Sequence, residues 1–326
     1  MSLNTPVGIF LYNRPDLTEV VFNAIAEAKP KKLFVMSDAP AKPEDEEKVR
    51  QCRDIIQRVD WDCEVMKKYP EQNLGARDNV PQGVQWVFSQ VEECIFLEDD
   101  CLPDQSFFSF CESLLEYYRD DERVMHINGG NFLFNQIPIS DSYYFSRHIF
   151  TGYGWASWKR AWKNYDLQMR SLPDFEAQNL LSSVLEDPDE LAFWTQKFKE
   201  VVSGELVSYC YPLFYSGLWQ NGLSIMPSVN LVSNLGFRSD GVHTNTGWDR
   251  MFLANIPRSS IREITHPKFM VRHREADRYL FQIYFGRAGA APEYIEPTGL
   301  RYYWVALKYK LGLLESSGQP LVSPPE

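Results

Sequence analysis

The sequence predicts an α/β fold, with a mostly parallel, Rossmann-like sheet and helices on both of its faces. Three features carry this expectation. Short apolar runs alternate with helical stretches through the first 130 residues. The apolar runs are continuous rather than alternating, as in strands buried on both sides. Prolines stand where helices begin, at Pro15 and Pro103, where a missing N–H costs little.

Each element follows in order. "PVGIFLY" reads as a buried strand and residues 15–28 as a helix opened by Pro15. "KLFVMSD" is a second strand. The acidic "PEDEEKVRQCRDIIQRV" is a surface helix whose apolar stripe is Val49, Cys52, Ile55, Ile56 and Val59. "CEVMKKY" is a third strand, followed by "DNVPQGVQWVFSQV", a helix interrupted by Pro81 and Gly83. "CIFL" is a fourth strand, "PDQSFFSFCESLLEYYRD" a helix with Pro103 in its first turn, and "VMHI" a fifth strand. The second half is less regular. It holds "GYGWASWKRAWKNYD", a polar helical stretch near 174–203 and the strand-like "LSIMPSVNLVS". An Arg- and Tyr-rich end closes in "RYYWVALKYKLGLL", a terminal helix docked on the domain or seeking a membrane surface.

Bulk properties narrow the function. The 326 residues carry a formal net charge of −11, which opposes a nucleic-acid partner. Six scattered cysteines include no C-x-x-C, so zinc and thioredoxin chemistry are excluded. No basic leader opens the chain, and no apolar run approaches the roughly 18 to 20 residues of a membrane span. These features predict a cytoplasmic protein, with peripheral contact at the inner membrane as the alternative that the terminal helix suggests.

The chemistry is concentrated in "CIFLEDDCLPDQ", where a buried strand ends in Glu98, Asp99 and Asp100. Ligands of open α/β sheets bind at the carboxyl ends of strands. Three adjacent carboxylates repel one another, and a hard divalent cation relieves that repulsion. Side-chain alternation along a strand places Glu98 and Asp100 on one side and Asp99 on the other. A solvated acidic loop is the competing reading of the triplet alone. Its neighbours change the balance. Asn13 and Arg14 follow the first strand, Ser37 and Asp38 end the second, and Arg77 stands just before a helix. Arg holds diphosphate oxygens bidentately, and Asp accepts from a base N–H or a ribose hydroxyl. Together they have the makings of a nucleoside-diphosphate site without a phosphate-binding glycine loop.

The stretches "VGIFLYNRPD", "LFVMSDAP", "NLGARDNVPQGVQWVF", "IFLEDDCLPDQSFFSFCESLL", "GYGWASWKRAWKNYD" and "NGLSIMPSVNLVSNLGF" resemble a bacterial family of nucleotide-sugar transferases, itself similar to N-acetylglucosaminyltransferase I. The resemblance spans roughly residues 5–285. It implies a GT-A fold with an irregular C-terminal acceptor-side region, a UDP-sugar donor, a saccharide or other hydroxyl acceptor, Mn²⁺ or Mg²⁺, and inversion at the anomeric carbon. It implies that Asp100 binds the metal, that Glu98 and Asp99 contact donor sugar or ribose, that Asp38 reads the base, and that Arg14 lies near the nucleotide. It sets Trp155 beside a sugar, with core packing as the competing role. Residues 1–130 would form the donor-binding half, 131–250 the acceptor half of the same domain, and 251–326 a helical extension.

One departure stands out. Ser208 occupies the position where the resemblance expects the acceptor-activating Asp. Glu205, three residues earlier, is the favoured replacement, ahead of Asp240, with His243 as a base or a further metal ligand. Two other readings compete with a glycosyltransferase: a nucleotide-sugar-binding protein that has lost its base, and a sugar nucleotidyltransferase.

Overall fold

The computed structural model describes residues 2–237 and 256–285. The predicted alternation appears in the first half. Strand β1 (Val7–Leu11) leads to helix α1 (Pro15–Ala28), β2 (Lys32–Ser37) to α2 (Glu46–Ile55), β3 (Glu64–Lys68) to α3 (Gly75–Phe88), and β4 (Glu93–Glu98) through the short β5 (Cys101–Pro103) to α4 (Gln105–Tyr117). Beyond these lie β6 (Val124–Asn128), β7 (Tyr143–Ser146), β8 (Trp155–Trp158), α5 (Lys159–Trp162), α6 (Leu172–Ala177), α7 (Leu181–Val184), α8 (Pro188–Ser203), α9 (Cys210–Trp219), β9 (Leu223–Pro227), β10 (Val232–Asn234) and α10 (Arg274–Phe285).

The main sheet has eight strands in the order β3-β2-β1-β4-β8-β6-β9-β7. β3, β2, β1 and β4 pair in parallel. β8 runs against both β4 and β6, and β7 runs against β9. Six strands therefore share one direction, and β8 and β7 oppose it. A second, two-stranded sheet pairs β10 with β5 antiparallel. The fold is α/β and mostly parallel, with the chain's two halves contributing to one sheet. Sequence order reverses between β1 and β4: β2 and β3 lie on one side of β1, and β4 on the other. A crevice opens at the carboxyl ends of such a strand pair, so the topology alone marks the loops after β1 and β4.

Two details depart from the sequence expectation. Pro81 does not interrupt α3, which runs unbroken from Gly75 to Phe88. Only glycine fits at position 83, since a Cβ there would stand 2.6 Å from the Phe10 ring. Close packing of α3 on β1 therefore accounts for a residue that reads as a helix breaker. Pro103 belongs to β5 rather than to the first turn of α4. That helix is capped by the Asp104 carboxylate, which accepts the Ser106 N–H at 2.9 Å.

The core is aromatic. Phe96, Trp155, Trp162 and Tyr165 form a stacked column, with centroid separations of 4.4, 5.9 and 4.4 Å, that ties β4 to β8 and α5. A second cluster joins Trp194 and Phe198 of α8, Phe214 of α9 and Phe285 of α10. Truncating one such buried ring typically costs about 3–5 kcal/mol. All six cysteines are free. No helix among the described residues is long and apolar enough to cross a membrane.

Candidate functional site

β1 ends at Leu11, and after three intervening residues Pro15 starts α1. Arg14 occupies the cap position between them, and its carbonyl accepts the first helical N–H, from Thr18, at 2.9 Å. This short connection turns the Arg14 side chain back toward the neighbouring strand end. There its Nη1 donates to Asp100 Oδ2 at 2.9 Å and its Nη2 to Asp99 Oδ1. Asp99 also accepts the Tyr12 N–H at 3.3 Å, so both of its oxygens are engaged.

β4 ends at Glu98, and the chain turns at Asp99 and Asp100. Strict side-chain alternation stops with the strand. Both aspartates therefore meet the same guanidinium, which corrects the expectation that Asp99 faces away from Asp100. Glu98 looks elsewhere: its Oε1 accepts from the Tyr209 hydroxyl at 2.8 Å, across 111 residues of chain. Enclosure first, and the adjacent Asp100 carboxylate second, push the Glu98 carboxyl up to about 8. Burial, only partly offset by Arg14, leaves the Asp99 carboxyl raised to about 6. Burial works against the Arg14 charge, but the two aspartates outweigh it and hold the guanidinium above its ordinary range.

The second strand end is built differently. Asp38 is 4% exposed, and its carboxylate accepts three backbone N–H groups: Ala39 at 2.8 Å and Leu74 at 3.0 Å on Oδ1, and Gly75 at 2.8 Å on Oδ2. An ionised carboxylate has about four acceptor positions, so one remains on Oδ2. Ser37 accepts on Oγ from Arg53 Nε at 3.0 Å, and Arg53 also donates to the Asp38 carbonyl at 3.0 Å while lying 4.4 Å over the Tyr69 ring. Asn13 donates to Asp45 at 2.8 Å, and the Tyr12 hydroxyl donates to the same carboxylate at 3.0 Å.

The structure thus gathers Asn13, Arg14, Glu98, Asp99 and Asp100 about the β1–β4 switch point, with Ser37 and Asp38 at the adjoining strand end. Other predicted residues stand apart. Trp155 is 2% exposed and stacked between Phe96 and Trp162, so its ring is core filler and not a platform for sugar. Arg77 lies in the first turn of α3 and pairs with Asp78 at 3.3 Å. Glu205 is exposed in the turn after α8, not on a helix with Ser208. The Ser208 Oγ accepts N–H from Cys210 at 3.2 Å and Tyr211 at 3.3 Å, which makes it a cap at the start of α9. Asp240 and His243 lie outside the described residues. Tyr12, Asp45, Arg53 and Tyr209 were missed. Tyr12 reads as the last strand residue, Asp45 as one of many charges in "PEDEE", Arg53 as the polar face of a helix, and Tyr209 as one more aromatic. The one signal available was the position of Tyr209 next to Ser208.

Three carboxylates against one guanidinium leave the cluster negative. Among the described residues no group of three or more His, Cys, Asp or Glu converges as a ready-made metal cage. Mg²⁺-type sites seldom need one, because substrate phosphates complete a shell begun by one or two carboxylates. Asp100 suits that role. Its Oδ2 holds Arg14, and its Oδ1 meets the Cys101 thiol at 3.5 Å, a weak contact that a cation displaces readily.

No family model matches this chain, and no curated protein matches it. Several solved structures do. Residues 1–349 of S. aureus TarS are 12% identical over 48% of this chain and 47% of that one, with a TM-score of 0.34. HddC from Yersinia pseudotuberculosis, complexed with GMP-PN, is 11% identical over 52% and 86%, with a TM-score of 0.32. CMP:2-keto-3-deoxy-manno-octonic acid synthetase, complexed with CTP, is 14% identical over 54% and 83%, with a TM-score of 0.31. This chain spans under half of the TarS fragment. At scores below 0.5 none of these likenesses bears on activity.

Proposed function

We propose that the chain is a GT-A-type glycosyltransferase that moves a sugar from a nucleoside-diphosphate donor, a UDP-sugar, to an acceptor hydroxyl with inversion. The observation that carries the reading is the convergence of Arg14, Glu98, Asp99 and Asp100 at the β1–β4 switch point. That is where an open α/β sheet takes ligands, and it is where a diphosphate needs both a cation and a guanidinium.

In this reading Asp100 would hold Mn²⁺ or Mg²⁺, which would supply charge neutralisation at the departing diphosphate, and Glu98 would contact the donor sugar. Arg14 hydrogen-bonds phosphate oxygens. The remaining acceptor position of Asp38 takes a base N–H, and Asn13 and Asp99 lie on the ribose side. Tyr209 orients Glu98 toward the donor sugar. Glu205 takes the proton of the acceptor hydroxyl, with Asp240 and His243 as the other groups of suitable chemistry. The chain binds no nucleic acid, works in the cytoplasm, and meets its acceptor there or at the inner membrane face.

The choice between transfer to a hydroxyl and nucleotidyl transfer rests on the sequence: no glycine-rich triphosphate loop follows β1, where Tyr12, Asn13 and Arg14 lead straight into α1. The test is thermal unfolding with UDP, UDP-sugars and other nucleotides, each with and without Mn²⁺. A ligand that binds only the folded state raises the melting temperature. UDP with Mn²⁺ is expected to give the largest shift. No shift with any nucleoside diphosphate and any divalent ion overturns the reading.

A further inference from the structure

Arg14 sits where the charge of a bound cation would act. Its two terminal nitrogens are divided between two different carboxylates, Asp99 and Asp100, and not spent on one. The partners differ in freedom. The Asp99 side chain is 3% exposed and anchored by the Tyr12 N–H, whereas the Arg14 side chain is 20% exposed and hangs from the short β1–α1 connection. Above the pair runs bare backbone. Leu235 donates its N–H to the Asp100 carbonyl at 2.7 Å. A Cβ on Gly236 would stand 2.1 Å from Asp100 Oδ2 and 3.1 Å from Arg14 Nη1. The Arg14–Asp100 pair is therefore roofed by a residue with no side chain, and its most movable member is the arginine.

We infer that Arg14 is an exchangeable counter-ion. It offsets part of the charge of Asp99 and Asp100 when no ligand is bound, and it passes to the oxygens of a nucleoside diphosphate when a divalent cation takes its place on Asp100. The inference rests on the function proposed above and adds a rule of assembly to it. A guanidinium on Asp100 Oδ2 and a divalent cation on its Oδ1 repel each other across one carboxylate, so the metal alone meets a carboxylate whose charge Arg14 already offsets. A diphosphate draws the guanidinium away, because a planar fork pairs with phosphate oxygens as well as with carboxylates. Metal and nucleotide then favour each other's binding, by the same factor in either order.

The experiment measures free Mn²⁺ by electron paramagnetic resonance against the full chain, with and without UDP, in the parent protein, Arg14→Gln and Arg14→Lys. In the parent, Mn²⁺ alone is expected to bind weakly and UDP to tighten it by about fivefold or more, the lower end of typical coupling between sites. Arg14→Gln is expected to bind Mn²⁺ alone at least about fivefold tighter than the parent and to lose most of the tightening by UDP. Arg14→Lys keeps the charge, so its affinity for Mn²⁺ alone stays close to that of the parent. Should the parent bind UDP and Mn²⁺ together while Arg14→Gln binds Mn²⁺ no tighter, the exchange is overturned and the proposed function stands. A parent that binds neither UDP nor Mn²⁺ sinks both. If Arg14→Gln fails to fold, a crystal of the parent with UDP and Mn²⁺ decides. Arg14 off Asp100 and within hydrogen-bond distance of phosphate supports exchange, and a retained Arg14–Asp100 bond overturns it.

Discussion

The Tyr209 hydroxyl donates to Glu98 Oε1 at 2.8 Å, and this bond ties the start of α9 to the carboxyl end of β4. Tyr209 is 8% exposed, and Tyr165 donates a hydrogen bond to its carbonyl at 3.2 Å, so its ring is fixed from both ends. The bond gives Glu98 a defined orientation among three crowded carboxylates, and it comes from the residue immediately after Ser208.

Tyr209→Phe keeps the ring and removes the donor. It is expected to destabilise the empty protein by about 1–3 kcal/mol, the usual cost of depriving an enclosed polar group of its partner. It should also weaken binding of a nucleotide-sugar more than binding of UDP alone, since Glu98 stands on the sugar side in the proposed site. Urea unfolding with an unchanged slope, together with paired titrations of UDP and UDP-sugar, reads both effects. Equal weakening of the two ligands assigns Tyr209 to the fold alone.

Asp38 carries a structural duty that bears on its proposed base contact. Asp38→Ala strips acceptors from the N–H groups of Ala39, Leu74 and Gly75. The expected loss is about 2–4 kcal/mol, below the sum of separate penalties because the exposed side of this loop rehydrates. Asp38→Asn retains one oxygen and restores much of the stability. If the fourth acceptor position reads a base, Asp38→Asn also shifts the ranking of UDP against other nucleoside diphosphates. A stable Asp38→Asn protein with unaltered ranking removes Asp38 from base recognition.

What the sequence revealed and concealed divides along physical lines. β1, β2 and β4 were legible because strands buried on both faces must be continuously apolar. The acidic triplet was legible because like charges at a strand end demand a partner. The partner itself, Arg14, was visible as a neighbour, but its pairing with both Asp99 and Asp100 depends on where β4 stops, which no pattern of hydropathy fixes. β8 was hidden inside "GYGWASW". Its insertion between β4 and β6 is a non-local pairing, and local periodicity carries no trace of it. Trp155 was ambiguous for the same reason, since a tryptophan looks alike in sequence whether its ring packs against Phe96 or against a sugar.

His126 gives the protein a pH dependence independent of the site. Its Nδ1 lies 2.9 Å from Ser224 Oγ, its Nε2 is buried without a partner, and its ring stacks 5.6 Å from Trp155. Burial lowers it from 6.5 to about 3. The folded state therefore keeps His126 neutral at pH values where the unfolded chain protonates it. Its contribution to stability is complete above about pH 6.5 and is lost progressively as pH falls toward 3, at up to about 1.4 kcal/mol per pH unit. Denaturant unfolding at pH 7.5, 6.5 and 5.5 reads this as a difference between the parent and His126→Gln, since the raised Glu98 and Asp99 carboxyls change stability in the opposite sense over the same range. The parent is expected to lose stability relative to His126→Gln as pH falls, and parallel profiles in the two proteins refute the assignment.

The last prediction concerns proton removal from the acceptor. Ser208 is unsuited to the task, because its Oγ already caps α9 and an alcohol is a poor base. Glu205, exposed three residues earlier, carries a carboxylate on the turn that leads into the same helix. In the proposed function it is the base, since Glu98 and Asp99 are committed to Tyr209 and Arg14. Glu205→Gln is expected to lower transfer, measured as UDP release with a working acceptor, by about 10²-fold or more, in line with the loss of a general base. Because Glu205 is exposed and distant in sequence from the carboxylate cluster, UDP-sugar affinity and melting temperature should stay as in the parent. Asp240→Asn and His243→Ala, assayed alongside, locate the base if Glu205→Gln retains transfer. A parent protein that binds donor but neither transfers nor hydrolyses it over a broad acceptor panel would favour a binding protein that has kept its donor site and lost its base.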